Sequence, residues 1–287
     1  MSVTTQIKPI RTAGILIIGD EILNGKIQDT NSYNFARFCF NELSVPLKRI
    51  LVCGDDSSDI KDALDMLLKE DKVDLLITSG GLGSTHDDIT YEVLADYFDL
   101  DYKLNQQVVD KMQLLRKDYL SKLSSDQLNA YYRMATLPVA QDNSKISTNV
   151  LFLDEELWFP LLEIDQKVYV LPGIPQIFTQ LLKYMAGFLK KRIVPADFCR
   201  RYVLTKSGES QLAPYLTNLQ EKCSKEFGEG TVKLGSYPHM AMRVNTISII
   251  GKDVKDKSKL DAIVKDIIDN IGGDAREISQ EEENTLK

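Results

Sequence analysis

TSGGLGSTHDD, residues 78–88, is the stretch from which the fold can be read outward. It follows the apolar run Val73-Asp74-Leu75-Leu76-Ile77 and precedes Ile89-Thr90-Tyr91-Glu92-Val93-Leu94, which has helical periodicity. A buried strand that passes through a glycine turn into a helix is a joint of a parallel α/β sheet, and such sheets gather ligands at the carboxyl ends of their strands. Gly80, Gly81 and Gly83 allow positive φ and bring bare N–H groups close to an anion. Ser84 and Thr85 add hydroxyls just ahead of a helix N-terminus, which favours negative charge. The spacing is neither that of a P-loop nor G-x-G-x-x-G. Two readings stand: a phosphate cradle with paired acids, or a tight turn in which Asp87 or Asp88 caps the helix.

The flanking sequence repeats the same alternation. Strands are expected over 13–18, 47–53 and 73–78, with helices over 30–43, from Ser58 onward, and through Phe98. Continuous apolar strands between amphipathic helices suit a mostly parallel sheet covered on both faces. Residues 104–136 read as one or two helices, with 106–120 the clearer piece, and strands return at 149–153 and 167–171. The latter stops at Leu171-Pro172-Gly173-Ile174-Pro175, a rigid turn at a strand end that adds Pro172 and Gly173 to the candidate binding residues. After Pro195 a β-α-β-β-α order suggests a small α+β second domain. The expected organisation is an α/β domain over 1–195, the α+β domain over 196–275, and a frayed acidic tail over 276–287.

The chain has 287 residues, a formal charge of -7 and a pI near 5.1. An acidic chain without a basic stripe repels nucleic-acid phosphate, so no nucleic-acid partner is expected. The polar start, Met1 to Arg11, and the strand-sized apolar runs give no reason to expect a signal peptide or a membrane partner, and a cytoplasmic location follows. Cys39, Cys53, Cys199 and Cys223 are widely spaced and read as reduced core residues.

Asp20 and Glu21 follow the first strand, Asp55 and Asp56 the second, and Asp87 and Asp88 the third, so parallel strands would bring six carboxylates to one sheet edge. Carboxylates beside a phosphate site need a cation between them, and oxygen donors suit Mg²⁺ or Mn²⁺. Asp55 and Asp56 also read as ordinary turn and N-cap residues. His86 and His239 are the only histidines, too few for a two-histidine metal site inside one loop. Asp29-Thr30-Asn31 opens a helix and could be a cap, Arg133 is a candidate phosphate fork, and Trp158 reads as packing rather than as a stacking platform.

Taken in order, Gly19-Asp20-Glu21-Ile22-Leu23-x-Gly25, Asp29-Thr30-Asn31, the 78–90 loop and Leu171-Pro172-Gly173-Ile174-Pro175 resemble the molybdopterin-binding-fold family. That family includes molybdenum-cofactor biosynthesis proteins and the N-terminal domain of the competence-damage-inducible proteins, and the strongest likeness is to the N-terminal molybdopterin-binding-like domain of eukaryotic FAD synthases. The resemblance covers about residues 12 to 270. It implies a three-layer α/β/α fold, homo-oligomers, and a small-molecule nucleotide or pterin as ligand. The two-domain branches imply cleavage of nucleotide diphosphates such as ADP-ribose or FAD with Mg²⁺, Mn²⁺ or Co²⁺. Molybdopterin adenylylation, or molybdopterin binding within molybdenum-cofactor biosynthesis, is a first alternative, and non-catalytic nucleotide or pterin binding a second.

On that basis Gly80, Gly81, Leu82, Gly83, Ser84, Thr85, Asn31, Pro172 and Gly173 are expected to hold substrate and its phosphate. Asp20, Glu21, Asp55 and Asp88 are expected to hold the metal. Asp87, Asp88 and, from the second domain, Glu209 are the expected catalytic residues. Ser84 stands where the family usually has proline, and Ile177 where bacterial members often have glutamate. No adenylyltransferase domain follows, so the chain is not expected to make FAD.

Overall fold

The computed structural model describes residues 7–142 and 144–286. Residues 1–6 of the polar start and the last residue of the tail lie outside the described residues. The chain divides after Pro195 into two compact units.

The first unit opens with β1 (Ala13–Ile18), α1 (Asp20–Leu23), α2 (Asn31–Arg37), β2 (Leu47–Cys53), α3 (Ser57–Asp65), β3 (Leu75–Ser79) and α4 (Thr90–Tyr97). It continues through β4 (Asp101–Leu104), α5 (Gln106–Leu115), α6 (Lys117–Leu120), α7 (Ser125–Tyr132) and β5 (Thr136–Val139). It closes with β6 (Thr148–Leu151), β7 (Leu161–Ile164), β8 (Val168–Leu171) and α8 (Pro175–Leu189). Six strands form one sheet in the order β2-β1-β3-β8-β7-β6, with β2, β1, β3 and β8 parallel and β7 and β6 antiparallel.

Strand alternation decides the layers. Leu16 and Ile18 of β1 face Ile60 and Leu64 of α3 and Leu94 of α4, while Ala13, Ile15 and Ile17 face Phe35 of α2 and Phe178 and Leu181 of α8. Each of these side chains is buried, and burying one such residue fully contributes roughly 1.5–3 kcal/mol. A one-residue slip of β1 would exchange the two faces, so its register is held from both sides. The result is a three-layer α/β/α unit with a largely parallel sheet.

The second unit holds β9 (Phe198–Thr205), α9 (Glu209–Phe227), β10 (Val232–His239), β11 (Val244–Lys252), α10 (Ser258–Ile271), β12 (Arg276–Ile278) and α11 (Gln280–Thr285). Its antiparallel sheet runs β10-β11-β9-β12. Leu212 and Leu219 of α9 and Leu260 and Val264 of α10 pack on Val203 and Ile249.

Several expectations are corrected. The span 104–136 holds three helices, and the hairpin β4–β5 encloses them. The frayed tail over 276–287 is instead ordered through residue 286: Arg276–Ile278 pairs with Tyr202–Leu204, and Leu286 is buried beside Tyr202 and Ile278. Its acidity is accommodated locally. The Ser279 side chain accepts from the Glu282 N–H at 3.1 Å, and Arg276 pairs with the Glu282 carboxylate, so negative charge sits at a helix start where it is favourable.

Candidate functional site

The carboxyl ends of β1, β2, β3 and β8 are tied together by main-chain hydrogen bonds. The Gly19 N–H donates to the Cys53 carbonyl at 3.0 Å, and the Gly80 N–H to the Leu171 carbonyl at 3.3 Å. Gly80 has φ 114°, and a Cβ there would run into the Ile18 carbonyl. Its other side meets Gly173, where a Cβ would stand 3.3 Å from the Gly80 Cα. Only glycine admits this main-chain approach at Gly80. Thr90 then holds the loop from below: its hydroxyl donates to the Gly80 carbonyl at 3.0 Å and its N–H to the Gly81 carbonyl at 3.1 Å.

The loop's own acid occupies part of the cradle. Asp88 Oδ1 accepts from the Gly83 N–H at 2.6 Å, and Oδ2 from the Thr85 N–H at 2.9 Å and the Thr85 hydroxyl at 2.6 Å. Both oxygens are therefore engaged, and Asp88 braces the loop instead of standing free as a catalytic group or metal ligand. Of the expected phosphate donors, Gly83 and Thr85 have their N–H groups turned to this carboxylate. Arg133, the candidate phosphate fork, donates to the Asp88 carbonyl at 3.5 Å.

The remaining acids crowd beside the loop. The Asp20 N–H donates to Asp55 Oδ2 at 3.0 Å, joining the β1 and β2 ends. Partial burial pushes the Asp55 carboxyl above its ordinary range, and the nearby charges of Glu21, Asp20 and Asp87 push the same way. Asp87 is exposed and its carboxyl is held below the usual range by hydrogen bonding within the loop and by the nearby charges of His86 and Arg133. Among the described residues no group of three or more His, Cys, Asp or Glu is arranged to hold a metal ion. The expected four-carboxylate set of Asp20, Glu21, Asp55 and Asp88 is thus not assembled: Asp88 faces the loop, and Asp20, Glu21 and Asp55 do not converge as a ligand group by themselves. Asp56 is a plain N-cap of α3, accepting from the Ser58 and Asp59 N–H groups at 2.8 and 3.2 Å.

Next to the acids lies a cavity of about 410 Å³. It brings together Glu21, Asn31, Gly80, Gly81, Leu82, Gly83, Asp88, Pro172 and Gly173 from the expected set, while Asp20, Asp55, Ser84, Thr85 and Asp87 lie outside its lining. Asn31 is fixed by two bonds of its Nδ2, to Ser79 Oγ and to the Gly173 carbonyl, both 2.9 Å. The rest of the lining adds apolar Ile22, Ile27, Met134, Trp158, Phe159 and Ile177 and polar Gln28, Asp29, Thr30 and Ser79. Trp158 is therefore a wall of the cavity as well as a packing residue, stacked at a tilt between Tyr131 (5.9 Å between ring centroids) and Phe159 (5.3 Å). A lone Trp beside leucine and phenylalanine carries no signal in sequence that separates these roles. Ile177 supplies apolar wall where related chains were expected to carry an acid.

Glu209 belongs to the second unit. It opens α9, is exposed, and accepts from Ser236 Oγ at 3.3 Å. His239 sits within β10, its Nε2 paired with Thr246 Oγ1 at 2.9 Å.

A family described as a probable molybdopterin binding domain matches residues 14–191. A probable FAD synthase of Caenorhabditis elegans is 28% identical over 247 residues, 80% of this chain; the chain spans 44% of that relative's length. A protein of Pyrococcus horikoshii is 27% identical over 254 residues, 85% of this chain and 93% of its own. Among solved structures, the protein CinA of unknown function from Thermoplasma acidophilum is 26% identical, with a TM-score of 0.50, over 64% of this chain and 99% of its own. Among the described residues no helix is long and apolar enough to cross a membrane.

Proposed function

This chain belongs to the molybdopterin-binding-domain family, and from that premise we propose that it is a divalent-metal-dependent hydrolase that cleaves the pyrophosphate of a nucleotide diphosphate such as ADP-ribose or FAD. The observation that carries the reading is the crowding of Asp20, Glu21, Asp55 and Asp87 at the mouth of a glycine loop, an excess of negative charge beside a place for an anion. Mg²⁺ sites commonly use one or two carboxylates and take their other ligands from substrate phosphate and water. The absence, among the described residues, of a three-ligand cluster is compatible with such a substrate-completed site. A bound cation would neutralise charge between the acids and the phosphate oxygens and favour deprotonation of water. Asp55 and Asp20 would hold it, and Asp87, exposed at the loop tip, would orient the water.

Hydrolysis forms a bond from the water oxygen to one phosphorus and breaks its bond to the bridging oxygen, which leaves with the second phosphate. The products are AMP with ribose 5-phosphate, or AMP with FMN. Purified protein incubated with FAD or ADP-ribose and Mg²⁺, Mn²⁺ or Co²⁺ should release AMP. No AMP with any of the three metals would end the hydrolase reading.

The engagement of Asp88 by the loop favours one other reading, a protein that binds a nucleotide or pterin without turnover. It expects ligand-induced thermal stabilisation and no product. Molybdopterin adenylylation shares the same loop and is separated by assaying adenylyl transfer from ATP.

A further inference from the structure

Arg133 opens the single helical turn Arg133–Ala135, between α7 and β5. The Asn105 N–H, just past β4, donates to the Ala135 carbonyl at 2.8 Å and ties this turn to the β4–β5 hairpin. The hairpin thereby brings Arg133 to the glycine loop, where its Nη2 donates to the Asp88 carbonyl at 3.5 Å. A guanidinium carries five N–H donors in a planar fork, and this long bond is the only hydrogen bond that Arg133 makes among the described residues. It closes no ion pair there either, although the loop beside it holds two acids. After hydrogen bonding within the loop, His86 and Arg133 are the charges that hold the Asp87 carboxyl low, and Asp87 in turn acts on Asp55. Asp87 is thus within electrostatic reach of Arg133 and of the acids at the ends of β1 and β2.

We propose that Arg133 is the fork for the second phosphate of the substrate: the cation held by Asp20 and Asp55 meets one phosphate, and Arg133 takes the other with its unused N–H donors. The inference rests on the hydrolase reading above and deepens it, because two cationic anchors select a diphosphate over a single phosphate. The loop cannot take the second phosphate unaided. Its Gly83 and Thr85 N–H groups are already filled by the Asp88 carboxylate, and Asp87 and Asp88 would face the incoming charge with no permanent countercharge but Arg133. A planar fork meets two oxygens of one phosphate, and charge-assisted bonds of this kind are roughly twice as strong as neutral ones. Lysine would supply the charge without the fork.

The test uses the full chain with Arg133→Gln and Arg133→Lys. Each protein is titrated calorimetrically in Mg²⁺ with dilute inorganic pyrophosphate and with inorganic phosphate, and assayed for AMP release from ADP-ribose and FAD. The parent should bind pyrophosphate more tightly than phosphate. Arg133→Gln should weaken pyrophosphate binding roughly tenfold or more and raise KM for ADP-ribose, while phosphate binding and Mg²⁺-induced thermal stabilisation stay near those of the parent. Arg133→Lys should recover part of the loss. Unchanged pyrophosphate affinity in Arg133→Gln would overturn the fork, as would a parent that binds neither probe, or equal losses for pyrophosphate and phosphate, which mark a general disturbance of the loop. Should Arg133→Gln not fold, Arg133→Lys decides alone: it must lose selectivity for pyrophosphate over phosphate, and keeping the parent's selectivity overturns the fork. Pyrophosphate binding that depends on Arg133, with no AMP released, would sink the hydrolase and leave the fork standing; AMP release untouched by Arg133→Gln would do the reverse.

Discussion

Asp55 is pushed up first by its own partial burial and then by three neighbouring carboxylates, and its pH behaviour follows from that. A carboxyl whose folded pKa lies above its unfolded value contributes stability that is fully present below the unfolded value and is lost as pH rises through the folded one. Asp55 therefore works against the fold at neutral pH unless a cation answers it. Asp55→Asn should raise the melting temperature at pH 7, with the gain disappearing on acidification below the carboxylate range, and should abolish both Mg²⁺-induced stabilisation and AMP release. Thermal melts across pH, with and without Mg²⁺, check this. Asp88 makes the opposite kind of contribution. Asp88→Asn keeps one acceptor but turns an amide NH₂ toward the Gly83 or Thr85 N–H, so denaturant titration should show a loss of about 1–3 kcal/mol even without ligand. The sequence alone could not divide Asp87 from Asp88, because a cap, a loop brace and a metal ligand all ask for the same side chain. Only the direction of the carboxylate separates them.

At the scale of elements, the antiparallel end of the large sheet is pinned by a buried polar network. Glu163 of β7 is 4% exposed; its Oε1 accepts from Asn149 Nδ2 of β6 and its Oε2 from the Tyr169 hydroxyl of β8, both at 2.7 Å. Arg192, just after α8, donates to the same Tyr169 hydroxyl and to the Gln166 carbonyl. Tyr169→Phe leaves a carboxylate oxygen and a guanidinium N–H without that partner, and should cost about 1–3 kcal/mol in chemical denaturation with the fold retained. The same network explains which strands are legible. β1, β2, β3 and β8 read as apolar, β-branched runs bounded by turn residues, and those signals locate them. β7 does not, because Glu163 interrupts it and the partners that make a buried glutamate tolerable come from other strands. β4 reads as helix or loop because Asp101-Tyr102-Lys103-Leu104 is polar and largely exposed, with only β5 beside it.

Among the described residues the two units have separate cores: one on each face of the first unit's sheet, and another within the second unit. A chain ending at Pro195 should therefore fold, melt cooperatively and keep the strand-end cavity, all of whose lining lies in the first unit; circular dichroism melts, with and without FAD or ADP-ribose, check this. The layer order was legible because periodicity reports burial over many residues at once. The cavity was half legible: glycines, prolines and acids advertise a strand-end site, but Met134, Trp158 and Ile177 come from distant segments and look like any core residue until the fold brings them around the opening. The contact between Gly80 and Gly173 bears on how such a protein can diversify. Two strand ends touching main chain to main chain set the width of the mouth by covalent geometry, which no exchange of side chains can widen. A lineage adapting to a new diet would have to repaint the far wall, leaving the hinge pins of the doorway as they were.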